Sequence, residues 1–167
     1  MNTLLLNIGS SSIKYGLYND QQANQLGAIS GLNTEHSAWT HDGTKQTLSA
    51  HTNLETALSA LLDHIQSIAS PDYILHRTVH GGEHFTQPTI IDDDTLKRLH
   101  DLIPLAPLHL PSSLLGMQKA TKAFPKAQSI AVFDTAFHAS LPAHEYTYAL
   151  PQALCQQHSI RRLAFMA

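Results

Sequence analysis

The chain has 167 residues, a length that fits one domain, with 43% hydrophobic and 14% charged residues. That balance supports a buried core and excludes disorder over most of the chain. Ten Lys and Arg against 13 Asp and Glu give a formal charge of −3, so the chain lacks the basic field on which non-specific nucleic-acid binding rests.

The opening Met1-Asn2-Thr3-Leu4-Leu5-Leu6-Asn7 carries no basic n-region, and its apolar run stops at Asn7, so it does not read as a signal peptide. No later apolar run nears the ~20 residues that span a bilayer. The single cysteine, Cys155, cannot form an internal disulfide and fits a reducing compartment. The expectation is a soluble, cytoplasmic protein.

Residues 3–8 read as a buried strand broken at Gly9-Ser10-Ser11-Ser12, and residues 13–18 as the returning strand of a hairpin. A third strand is expected at 25–30. Weaker strand signals lie near 38–40 and 45–49, within a polar stretch (31–53) of loops and short edge strands. Thr52 and Glu55 have the spacing of a capping box. Leu54, Ala57, Leu58, Leu61, Leu62, Ile65 and Ile68 then repeat at helical spacing, which predicts a helix over 53–69 ended by Ser70-Pro71. A strand at 73–79 precedes Gly81-Gly82. Asp92-Asp93-Asp94 puts acids where a helix dipole favours them, at the start of a second helix that Pro104 stops. A third helix is expected over 112–123, then an apolar strand at 129–133 ending at Asp134, and a short helix near 151–158. Strand meander, helix, strand, helices, strand predicts a mixed α/β domain with a sheet covered by helices.

Four segments carry chemistry-bearing residues, each with a plainer alternative. Asn7-Ile8-Gly9-Ser10-Ser11-Ser12-Ile13-Lys14 is either a hairpin turn or a nest of hydroxyls and backbone N–H groups for phosphate oxygens, with Lys14 adding charge. In His76-Arg77-Thr78-Val79-His80-Gly81-Gly82, strand alternation puts Arg77 and Val79 on one face. That pair suits an anion with a small alkyl tail; the alternative is an edge-strand arginine before a glycine turn. Asp134, at the end of an apolar strand, is either a helix N-cap or a catalytic or metal-organising acid. Leu105-Ala106-Pro107-Leu108-His109 is either a connector or a stiff turn presenting a histidine. Twelve histidines invite a metal reading, and His76, His80 and His84 are spaced four apart. The glycine pair interrupts any helix there, however, and the usual Cys/His pairings are absent.

Taken together and in order, Asn7-x-Gly-Ser-Ser-Ser-x-Lys14, His76-Arg77-x-Val-His-Gly-Gly, Leu-Ala-Pro-Leu-His109, Val-Phe-Asp134-Thr-Ala-Phe-His138, Tyr148-Ala-Leu-Pro151 and Ile160-Arg-Arg162 resemble the acetate kinase family. The resemblance implies an actin/Hsp70/sugar-kinase-like (ribonuclease H-like) fold, with residues 1–167 corresponding to the N-terminal domain and the C-terminal nucleotide-binding domain absent. It implies phosphoryl transfer between ATP and acetate or propionate with Mg2+. By resemblance, Asn7 lies near the metal, and Ser10, Ser12 and Lys14 lie near the phosphates. Arg77 holds the anion, Val79 and Leu108 line the alkyl pocket, His109 contacts the transferring phosphoryl group, and Asp134 engages the magnesium or orients the attacking carboxylate.

The sequence also departs from that family. Where members continue with Phe-His-Gly-Thr-Ser-His, the chain reads Leu163-Ala164-Phe165-Met166-Ala167, with Met166 at the histidine position. Leu110 replaces a usual Asn. With the second domain's arginine, metal ligand and nucleotide pocket missing, the chain alone is expected to turn over weakly or not at all. Its uncovered cleft face invites self-association or a second-domain partner. The altered end keeps one alternative open: a non-catalytic short paralogue that binds small anions or another protein.

Overall fold

The computed structural model describes residues 1–158 and 160–162. The divergent end with Met166 lies outside the described residues. The strands are β1 (Asn2–Ile8), β2 (Ser12–Asn19), β3 (Gln22–Ser30), β4 (Ala38–His41), β5 (Thr44–Thr47), β6 (Tyr73–Thr78), β7 (Thr89–Ile90) and β8 (Gln128–Phe133). They form one eight-stranded sheet in the order β5-β4-β3-β2-β1-β6-β8-β7. Short turns return the first five strands antiparallel. Parallel β1–β6 and β6–β8 pairs need long crossovers, and helices supply them. Those helices are α1 (Leu54–Ile68), α2 (Asp93–Asp101) and α3 (Leu110–Ala123). Shorter α4 (Ala143–Tyr146) and α5 (Gln152–Gln157) follow the sheet, and 3-10 turns occupy Ile103–Leu105 and Asp134–His138.

The apolar stripe of α1 packs on Leu4, Leu6, Ile13, Tyr15, Ile29 and Ile74. Leu99 of α2 and Leu114 and Met117 of α3 close over Ala131 and Phe133 of β8. Register places Leu6, His76 and Ala131 side by side across β1, β6 and β8. Helices α1, α2 and α3 therefore cover one and the same face of the sheet. Among the described residues no helix is long and apolar enough to cross a membrane.

The expected elements form, with shifted ends. The weak strand expected near 45–49 occupies Thr44–Thr47, and the third long helix begins two residues early, with Pro111 in its first turn, where its missing N–H costs nothing. The capping-box reading of Thr52 is corrected. Asn53 is the N-cap: its Oδ1 accepts from Thr56 N at 2.8 Å, which leaves Glu55 one place short of the position a capping box requires. The Thr52 hydroxyl instead donates to Ser49 O at 2.6 Å. Two-residue β7, α4 and the 3-10 turn at Asp134 were not anticipated; each is too short to show a period.

His76, one of the twelve histidines, lies in the core. It is 2% exposed, and its Nε2 has no hydrogen-bond partner among the described residues. Burial lowers its pKa from 6.5 to about 4, so the folded protein holds the ring neutral.

Two measurements check this packing. The unfolded chain takes up the His76 proton near 6.5 and the folded chain only near 4. Stability from this group is therefore complete above pH 6.5 and drains away as pH falls toward 4, by about 3 kcal/mol in all. Urea unfolding of His76→Leu should lack that part of the acid loss; parallel profiles for variant and wild type would refute it. Asn53→Ala should cost about 1 kcal/mol by the same method, and a larger loss from Thr52→Ala would restore the capping box.

Candidate active site

Strands β1, β6 and β8 run parallel, so their carboxyl ends meet along one edge, the edge where open α/β sheets place ligands. At that edge Lys14 of β2 lies opposite Asn7 of β1, Asn7 opposite Arg77 of β6, and Arg77 opposite Val132 of β8. Their neighbours Leu6, His76 and Ala131 are buried beneath the helices. Alternation along each strand therefore sends Lys14, Asn7, Arg77 and Val132 to the uncovered face.

Arg77 organises this row. Its Nε donates to Asp134 Oδ1 at 3.1 Å and its Nη2 to Oδ2 at 2.7 Å, a bidentate pair, while Nη1 donates to Asn7 Oδ1 at 3.2 Å. A guanidinium has five N–H donors, so two remain after these bonds among the described residues. The pair sits at the water's edge, with side chains 49% and 35% exposed, a setting in which an ion pair adds only ~0–1 kcal/mol of stability. Asp134 is the first residue of the 3-10 turn, whose cap position falls on Phe133. Its N-cap alternative is thereby set aside.

The β1–β2 turn is pinned by Gly9 N donating to Ser12 O at 2.8 Å. Ser10 is exposed on it, and Ser12 is half-buried where β2 begins. Val79 lies just past β6, half-buried. Beyond it, His80 Nδ1 accepts from Gly82 N at 2.9 Å, so the ring's proton is on Nε2. Burial lowers the His80 pKa and keeps that acceptor available. Gly82 has φ +60°, and a Cβ at Gly81 would meet Phe85 O at 2.6 Å and the Phe133 ring at 2.9 Å. Both positions therefore require glycine. Gly81 N donates to Thr135 Oγ1 at 3.0 Å, which ties this turn to the segment carrying Asp134.

Sequence reasoning gave Thr135 no role, although a hydroxyl directly after a strand end is a signal for such a backbone tie. It also passed over Phe137, which stands 84% exposed two residues further on. Leu108 is 74% exposed and His109 half-buried at the start of α3, where its side chain makes no capping bond. The structure thus joins Asn7, Arg77 and Asp134 directly and sets Lys14 beside them. No hydrogen bond links Leu108 or His109 to that cluster among the described residues. Leu110, the departure from Asn, is fully buried in the core. Among the described residues no three His, Cys, Asp or Glu side chains form a metal-holding group, so His76, His80 and His84 do not converge.

Comparison with known proteins gives the family. The sequence matches the Acetokinase family over residues 2–167. It is 43% identical to an acetate kinase of Pseudomonas aeruginosa (strain LESB58) over 173 residues, covering 98% of this chain and 43% of that protein. An acetate kinase of Acetivibrio thermocellus is 36% identical, with 99% of this chain and 45% of that one covered. Among solved structures, a propionate kinase from Francisella tularensis superposes with a TM-score of 0.88 at 31% identity, over 98% of this chain and 44% of that one. Porphyromonas gingivalis acetate kinase gives 0.84 at 32%, over 98% and 45%. The chain spans less than half the length of these relatives. Its fold is the actin/Hsp70/sugar-kinase-like one expected from the sequence. By sequence and by structure, the chain belongs to the acetokinase family.

Proposed function

We propose that this chain supplies the acyl-substrate half of an acetate kinase-like phosphotransferase, which passes the γ-phosphoryl group of ATP to acetate or propionate and yields ADP and an acyl phosphate. One observation carries the reading: a single guanidinium forked on oxygens from two further segments at the carboxyl edge of parallel strands, with N–H groups to spare. Residues 1–167 correspond in this reading to the relatives' N-terminal domain. In the same reading, the nucleotide-binding domain lies in the length of those relatives that this chain does not cover, since the match takes in 43% of the Pseudomonas aeruginosa protein. The use of ATP in this reading, with a single cysteine in the chain, supports a cytoplasmic location.

Both reactants are anions. Catalysis then depends on holding them in line and on absorbing charge as it spreads over the transferring phosphoryl group. Arg77 offers its remaining N–H donors to that charge. Ser10, Ser12 and Lys14 meet phosphate oxygens, His109 donates to the phosphoryl group, and Val79 and Leu108 bound the space for a short alkyl tail. A carboxylate nucleophile is already ionised at neutral pH, so no strong base is required. Asp134 therefore serves in organising the metal ion rather than as a base.

A magnesium ion suits the donor set, since Asn7 and Asp134 present hard oxygen atoms close together. These two residues would hold it or its waters. When bound, Mg2+ would offset phosphate charge. The Arg77–Asp134 pair is half in water and weak, so an ion that took up the Asp134 carboxylate would displace little stability.

The test joins this chain to the complementary length of the Pseudomonas aeruginosa relative and traps acyl phosphate with hydroxylamine in the presence of ATP, Mg2+ and acetate. Arg77→Ala should lower kcat/KM by on the order of 10³-fold; activity within a few-fold of the parent would sink the assignment. The chain alone should show little turnover. Val79→Ala should raise the propionate-to-acetate ratio of kcat/KM by roughly tenfold, since one methylene in an apolar pocket is worth ~1–3 kcal/mol. An unchanged ratio would remove Val79 from the pocket.

A further inference from the structure

Two histidines outside the Arg77 cluster meet on the helix-covered side of the sheet. His41 ends β4 and His64 lies on α1, and their ring centroids are 5.9 Å apart. One indole braces both: Trp39 stands edge-on to His41 at 6.0 Å and to His64 at 5.3 Å. Trp39 is fixed in turn by its Nε1, which donates to Tyr15 Oη at 3.2 Å. Gly27 leaves room for that tyrosine, since a Cβ there would lie 2.5 Å from its ring. Both imidazoles are half-buried. Lys45 of β5 lies opposite Thr40, so alternation turns its charge to the other face.

A chain of polar contacts sets the chemical state of His64. Its Nε2 lies 3.2 Å from Gln25 Oε1, and Gln25 Nε2 donates to Asp42 Oδ2 at 3.2 Å. Asp42 is held by Leu26 N, which donates to Oδ1 at 3.1 Å. An ionised carboxylate only accepts, so the Gln25 amide turns its NH2 to Asp42 and its carbonyl to His64. His64 Nε2 therefore carries the proton, and Nδ1 of the neutral ring keeps its lone pair. The ring of His41 makes no hydrogen bond among the described residues.

An imidazole whose far N–H is tied to a carbonyl has the usual form of a metal ligand. Metal–nitrogen distances of about 2.0–2.1 Å put two imidazole centroids about 5 Å apart on a tetrahedral ion and about 6.3 Å apart at opposite positions. The separation of 5.9 Å lies between these limits. Imidazole suits Zn2+, Cu2+ and Ni2+ rather than hard ions such as Mg2+, which distinguishes this pair from the oxygen donors of Asn7 and Asp134. The pair is also remote from them: β4 lies four strands from β6, roughly 19 Å, and Arg77 is on the other face.

We propose that His41 and His64 bind one divalent transition-metal ion of the Zn2+ or Cu2+ class, with water completing its coordination, so that the ion clips β4 to α1. The proposal is independent of the phosphotransferase reading.

Trp39 is the only tryptophan of the chain and touches both rings, so its fluorescence reports directly on this pair. Cu2+ titrated into the chain should quench it saturably. His41→Gln and His64→Gln should each raise the Cu2+ midpoint by at least about tenfold, and Gln25→Leu, which keeps both ligands but removes the tie on His64, by roughly tenfold. His100→Gln, on exposed surface of α2, should leave the midpoint unchanged. Circular dichroism identifies any variant that fails to fold. A wild-type measurement covers that case: Zn2+ should raise the urea midpoint, and the rise should vanish between about pH 7.5 and about pH 5.5 as the imidazoles take up protons. Quenching that never saturates, a Cu2+ midpoint indifferent to both histidine substitutions, or a urea midpoint indifferent to Zn2+ each overturns the proposal.

Discussion

The Arg77 fork is the contact on which the functional end of this domain turns. It is possible only because β1, β6 and β8 run parallel and in register, so that Asn7 and Arg77 arrive side by side and Asp134 follows directly from the next strand. The register is fixed from below. Leu6, His76 and Ala131 are locked under the helices, and a slip of one residue would turn Arg77 into the core and His76 out of it. The unpaired nitrogen of His76 is a cost accepted at that position. It lies one residue from the guanidinium that the packing has to aim.

Rigidity around the fork is not uniform. Backbone and glycine turns are tightly specified, with Gly81 pressed on Phe133 and bonded to Thr135. The charged contacts themselves are half in water and weak. A frame that cannot move carries a cluster that can exchange partners. That division suits the anion-holding role proposed for Arg77.

The two periodicities made most of the fold legible. Helix α1 announces itself through Leu58, Leu61, Leu62 and Ile65, and the apolar strands through their turns. What the sequence hid was tertiary. Nothing in the spacing of Arg77 and Asp134, 57 residues apart, says that they pair, because the pairing arises from the parallel register of β6 and β8. The cap at Asn53 rather than Thr52 was lost for a smaller reason: two capping residues stand adjacent, and local rules do not choose between them. His76 misled because a histidine count says nothing of which side of a strand each ring takes.

The same alternation that aims Arg77 also sets Leu75 beside it on the open face, two residues back along β6. Chemistry and unmet packing are therefore consecutive stations on one surface. An element that covered Leu5, Leu75 and Ile130 would lie beside Asn7 and Arg77, two residues further along β1 and β6, and would exclude water from them. Excluding water strengthens every charge interaction of that cluster. On its open face β6 runs Tyr73, Leu75 and then Arg77, so one covering element would meet apolar side chains and the edge of the site together.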